Sequence, residues 1–205
     1  GSAGSHWEAR TMLGDFMISN VYPEFAISEI TLALLEDSGW YKVNYYTGGL
    51  FTFGKDQGCD FLNKPCYEGD GTRFPNDFCV PFAQRCFAGH KDRGNCSLFR
   101  YDEEIREEYQ YFDQRGPYVG GFAPADYCPV VYARINQGGQ YYSTNCQNGI
   151  LEQDSPDRDE VISYDSICVE SSLDKNRIFA ETRGTCYQVS CDFETLTFNI
   201  TVGSH

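Results

Sequence analysis

The chain has 205 residues, enough for one large domain or two small ones, and its 41% hydrophobic and 16% aromatic content supports a packed core and excludes a disordered chain. A formal net charge of −14 argues against nucleic acid and anionic membrane surfaces as partners, because both attract basic patches. No run approaches the ~20 apolar residues that span a bilayer, and residues 1–17 lack the basic start and apolar stretch of a signal peptide.

The chain opens on Gly1-Ser2-Ala3-Gly4-Ser5-His6-Trp7-Glu8, followed by Asp15-Phe16-Met17. A lone histidine is usually a surface or satisfied core residue. A histidine after a glycine-bearing bend with a methionine shortly downstream, however, matches the last two parts of a metzincin-type zinc site, whose first two ligands come from H-E-x-x-H. The histidines His6, His90 and His205 include no pair four apart, so that motif and its general-base glutamate are absent from this sequence. His6 is one donor where a catalytic zinc takes three.

Tyr22-Pro23 then interrupts the backbone. Ile27, Ile30, Leu34 and Leu35 repeat at helical spacing, with Ser28 as N-cap, Glu29 in the first turn and Gly39 closing the C-terminus, so a helix is expected with that apolar face in the core. Residues 40–46 alternate weakly and suggest a short strand. A shift to Pro-, Gly- and Cys-rich sequence over residues 64–95 predicts loops stapled by disulfides, with a second domain, residues 61–205, following a first, residues 1–60. His90 is expected to be a solvated loop residue.

Residues 102–110 suggest one short helix whose glutamates face solvent, since no calcium-loop pattern is present. Cys128-Pro129-Val130 reads as a pinned strand entry, and residues 152–160 as a solvated acidic excursion. Near the C-terminus, Leu196, Phe198, Ile200 and Val202 alternate with polar residues, as do Tyr187, Val189 and Cys191 with theirs. A hairpin turning near residues 192–195 is expected, with Asn199 toward solvent and Cys186 and Cys191 on opposite faces. The fold class is α+β.

Ten cysteines without a C-x-x-C pair read as disulfides of an oxidising compartment, and the spacing leaves their connectivity open. The sequons Asn95-Cys96-Ser97 and Asn199-Ile200-Thr201 agree with an extracellular or cell-surface glycoprotein.

The opening segment, Met17 and the run Thr31-Leu32-Ala33-Leu34-Leu35-Glu36-Asp37-Ser38-Gly39-Trp40-Tyr41 together resemble the leishmanolysin family of zinc metallopeptidases. Asp56-Gln57-Gly58-Cys59, Tyr109-Gln110-Tyr111-Phe112, Gly120-Gly121 and Ala125-Asp126-Tyr127-Cys128-Pro129-Val130 extend the resemblance to most of the chain. It implies that His6 is the third zinc ligand, that Met17 forms the Met-turn beneath the metal, and that an upstream segment carries the remaining ligands and the base. It also implies the disulfides Cys66–Cys128, Cys79–Cys96, Cys86–Cys168 and Cys146–Cys186, with Cys59 and Cys191 bonded to segments outside this sequence. The expected function is the C-terminal part of an extracellular zinc metalloendopeptidase acting on peptide or protein substrates, without competence by itself. The alternative is a non-catalytic structural or adhesion protein that keeps the fold. Ile18-Ser19-Asn20 departs from the small residue and proline that often follow the methionine in this family, and so leaves the cleft wall open.

Overall fold

The computed structural model describes residues 4–133, 145–147, 159–173 and 183–202; His205 and residues 152–158 of the acidic stretch lie outside them. These residues form a mixed architecture of few helices and mostly short strands. The helices are α1 (Ala9–Met12), α2 (Glu29–Asp37) and α3 (Asp60–Asn63). The strands are β1 (Tyr67–Glu68), β2 (Gly71–Thr72), β3 (Gln84–Cys86), β4 (Arg93–Cys96), β5 (Phe99–Arg100), β6 (Val119–Gly120), β7 (Val131–Tyr132), β8 (Ser166–Ser171), β9 (Arg183–Asp192) and β10 (Thr197–Thr201). The chain divides into two compact units, Gly1–Phe82 with Cys96–Val130, and Ala83–Asn95 with Val131–His205.

In the first unit, α2 starts where Ser28 accepts a hydrogen bond from the Thr31 N–H, satisfying one of the donors a helix N-terminus leaves free. It stops at Gly39, whose φ of +73° favours a residue without Cβ and whose N–H returns to the Glu36 carbonyl. The buried face differs from the one expected. Thr31 and Leu32 are buried, whereas Ile30, Leu34 and Leu35 are exposed. Residues 40–46 form no strand; Asn44 instead caps a short 3-10 turn, Tyr45–Thr47, by accepting from the Tyr46 N–H. The expected acidic helix is likewise reduced to a single 3-10 turn, Glu107–Tyr109. Ile105 within this stretch is buried, so the segment follows its anchor and not a helical stripe.

The core of this unit is aromatic. Phe61 lies 5.1 to 5.7 Å from the rings of Phe53, Phe74 and Phe78, centroid to centroid, mostly edge to face. β5 pairs antiparallel with β6, and the Tyr101 hydroxyl beside them donates to the Gly121 carbonyl at 2.6 Å while accepting from the Ala123 N–H at 3.1 Å. Burial pushes that phenol up to about 12. The disulfides Cys66–Cys128 and Cys79–Cys96 staple the unit, and all four sulfurs belong to buried residues.

In the second unit, β3, β4 and β7 form one sheet and β10, β9 and β8 another, in those orders. β9 and β10 pair antiparallel from Thr197 opposite Asp192 to Thr201 opposite Gln188, the turn falling just after Asp192. Residues 64–95, expected as loops, contain β1 and β2 of the first unit, then β3 and most of β4, which are too short to give a readable alternation. The disulfides Cys86–Cys168 and Cys146–Cys186 each sit beside a carboxylate. Glu170 pairs with Arg85 at 2.7 Å and accepts from the Cys86 N–H; Glu160 pairs with Arg93 and accepts from the Cys186 N–H. Glu160 is therefore not part of a solvated excursion. It is buried, and a buried carboxylate requires such partners. His90 is exposed yet tied down, its Nδ1 2.8 Å from the Cys168 carbonyl and its own carbonyl accepting from the Cys168 N–H.

Candidate metal-binding loop

His6 reaches its position through its neighbour. The Trp7 N–H donates to the Met17 carbonyl at 3.0 Å, and Trp7 and Ile18 form a parallel bridge, so the histidine precedes a residue clipped to the turn that holds the methionine. A second bridge, Asp15 with Ala26, is closed by hydrogen bonds from the Phe16 N–H to the Ala26 carbonyl and from the Ala26 N–H to the Gly14 carbonyl, each 2.8 Å. Met17 is half-buried. His6 is exposed, with its Nδ1 2.9 Å from the Ser5 hydroxyl.

Beneath this loop is a residue that the sequence reading passed over. Asp15 is fully buried. It accepts from the Met17 N–H at 2.6 Å, from the Ser28 N–H at 3.1 Å and from the Thr31 hydroxyl at 2.9 to 3.0 Å, and that hydroxyl in turn accepts from the Trp7 indole N–H at 2.7 Å. One signal was local: an aspartate whose side chain accepts from the N–H two residues on forms an Asx turn, a common use of Asp before a bend. Its bonds to Ser28 and Thr31 had no such signal.

Arg10 was also missed. It is buried, with its guanidinium 4.9 and 4.6 Å from the ring centres of Phe61 and Phe78 and Nη2 donating to the Lys64 carbonyl at 3.1 Å. Burial lowers its pKa, opposed by Tyr111, Asp126 and Asp77. Asp77 and Asp126 are pushed above the ordinary carboxylate range by burial, with Arg10 acting in the opposite direction.

A carboxyl whose pKa is raised by folding costs stability when ionised. That cost is full above the raised folded pKa and absent below the unfolded one. Asp126→Asn, at a φ of +53° that asparagine tolerates, is therefore expected to raise the melting temperature at pH 7 and to leave it nearly unchanged once the pH falls below the ordinary carboxylate range. Thermal melts of both proteins from neutral pH down through that range check it, and an equal shift at both ends would contradict it.

The remaining site residues are dispersed. Cys59 and Cys191 are exposed and form no disulfide among the described residues. Asn199 is exposed on β10 opposite Ser190, and Asn95 is half-buried on β4 opposite Gln84. No group of three His, Cys, Asp or Glu side chains is placed to hold a metal among the described residues. His6 suits a metal as a single accessible imidazole donor, and the donor set is otherwise incomplete here. No helix among the described residues is long and apolar enough to cross a membrane.

The leishmanolysin family model matches residues 1–205. The chain belongs to the leishmanolysin family. It is 33% identical to a leishmanolysin-like peptidase of Drosophila melanogaster over 149 residues, which cover 64% of this chain and 22% of the relative. It is 28% identical to leishmanolysin of Leishmania tropica over 214 residues, covering 98% of this chain and 30% of the relative. A leishmanolysin-like peptidase of Caenorhabditis elegans is 25% identical over 224 residues, 94% of this chain and 34% of the relative. The chain thus spans about a third or less of the length of these curated relatives. Members of the family are zinc metalloproteases.

Proposed function

We propose that this chain is the C-terminal portion of a leishmanolysin-like extracellular or cell-surface zinc metalloendopeptidase. Residues 1–60 contribute the third zinc ligand, His6, the Met-turn at Met17 and the helix α2, and residues 61–205 form a disulfide-rich domain. When bound, zinc supplies the Lewis acidity that activates water for attack on a peptide carbonyl. In this chain His6 donates an imidazole, Met17 provides an apolar floor, and the loop between them keeps the two in register. The general base and two further histidines come from an H-E-x-x-H helix that this sequence does not contain.

The observation that carries the reading is the backbone hydrogen bond between Trp7 and Met17, which ties the histidine-bearing segment to the methionine turn. Exposed Ile30, Leu34 and Leu35 on α2 support it from a second direction, as apolar side chains of the kind a further part of the catalytic domain covers. Cys59 and Cys191 are proposed to bond to such further segments, and Asn95 and Asn199 to carry glycans.

In the full-length protein, His6→Ala is expected to remove zinc and proteolysis together, with zinc falling from about one per chain toward none, while Met17→Leu has the milder effect of a packing change. The 205-residue chain alone is expected neither to cleave protein substrates nor to hold zinc tightly. Metal analysis finding one tightly bound zinc per isolated chain would count against the proposal. The second reading, a non-catalytic structural or adhesion protein, is favoured by Ile18-Ser19-Asn20 after the methionine; full zinc occupancy without proteolysis in the intact protein would support it.

A further inference from the structure

Among the described residues, the charge of the buried Asp15 carboxylate is met by neutral hydrogen-bond donors alone, and those donors come from three places in the chain. The Met17 N–H belongs to the methionine turn, the Ser28 N–H to the entry of α2, and the Thr31 hydroxyl to its first turn. Thr31 also receives the indole N–H of Trp7, the residue next to His6. A carboxylate is the side chain suited to this, because it offers about four lone-pair sites and no donor of its own. Dedicating an unpaired buried charge to a loop is costly in a low-dielectric interior.

We propose that Asp15 is the positioning residue for His6, the Asp15–Thr31 pair fixing the methionine turn on one side and the Trp7 indole on the other, so that the imidazole is presented to a metal from a preset loop. The proposal rests on the reading of His6 as a zinc ligand. Asp15 itself touches no metal in it. Removing the Thr31 hydroxyl releases the Trp7 indole, and removing the Asp15 carboxylate releases that hydroxyl and the methionine turn; either change takes away the set direction of His6 even though both histidine and methionine remain.

The test uses the full-length protein with Asp15→Asn, Thr31→Val, Thr31→Ser and His6→Ala. Zinc affinity is measured by chelator competition, the ligand field by the visible spectrum of the cobalt(II)-substituted protein, and folding by the melting temperature. Asp15→Asn and Thr31→Val are expected to weaken zinc binding about 10-fold, as loss of groups that orient a ligand typically does, and to shift the cobalt bands. Thr31→Ser, which keeps the hydroxyl, should restore both. Should Asp15→Asn fail to fold, Thr31→Val decides, since it leaves the carboxylate and its two backbone donors in place. If His6→Ala abolishes zinc binding while Asp15→Asn and Thr31→Val lower only the melting temperature, with affinity and cobalt spectrum as in the unchanged protein, the positioning role is overturned and the ligand reading stands. If His6→Ala retains zinc, the ligand reading fails and the positioning role fails with it.

Discussion

Replacing Cys86 and Cys168 together by serine is expected to cost about 4.5 kcal/mol by the loop-entropy relation, the bond joining positions 82 residues apart. The same relation gives about 3 kcal/mol for Cys79–Cys96, whose separation is 17. The order of loss should therefore follow separation, with Cys66–Cys128 at 62 and Cys146–Cys186 at 40 falling between. A domain of this kind has net stability on the order of 5–15 kcal/mol, so losing two such bonds removes about half of that margin or more. Complete reduction is expected to unfold the chain. Denaturant unfolding of the four double-serine variants, with a reduced sample for comparison, tests this; a set of equal losses, or a reduced chain retaining cooperative unfolding, would mean that packing and not chain closure sets the stability.

Gly121→Ala is expected to destabilise the first unit by about 3 kcal/mol, at the upper end of overpacking substitutions. A Cβ at Gly121 would stand 2.1 Å from the Cys128 carbonyl oxygen, 2.3 Å from its carbon and 2.6 Å from the Pro129 nitrogen. All three are backbone atoms, so no side chain can swing aside. Movement there would disturb the Gly121 N–H bond to the Tyr127 carbonyl, the Phe122 N–H bond to Cys128, and Cys128 itself, which is held by its disulfide to Cys66. Gly71→Ala provides the control: nothing lies within 4 Å of a Cβ at that position, and a change within about 0.5 kcal/mol is expected. Comparable losses in the two variants would show that the close approach at Gly121 relaxes without cost.

The Gly120-Gly121 pair was conspicuous in the sequence only as part of a family resemblance, and the reason for it became visible once Cys128 was seen lying against Gly121. The boundaries of α2 were legible for a different reason. A serine cap, an early glutamate and a closing glycine act on the residues beside them, and such local chemistry survives in any tertiary setting. The β9–β10 hairpin was legible likewise, because its register depends on a turn and on alternation between neighbours. The burial of that alternation was not: β10 is exposed along its whole length, at Phe198 and Ile200 as much as at Asn199.

What only the tertiary structure decided follows from long-range partners. Periodicity marks an apolar face but says nothing about what covers it, and α2 buries Thr31 and Leu32 while Ile30, Leu34 and Leu35 face outward. Glu160 reads as one more acid in an acidic stretch, yet its ion-pair partner Arg93 is 67 residues away; for Arg85 and Glu170 the separation is 85. Arg10 is similar, an ordinary charged residue in sequence that the fold sets against two aromatic rings. The sequence by itself determined the family, the caps and the hairpin, since each is encoded in residues adjacent along the chain or in a shared pattern of motifs. Which charges are buried, and that Asp15 gathers donors from the methionine turn and the start of α2, depend on groups brought together only when separate segments pack, and no local pattern carries that information.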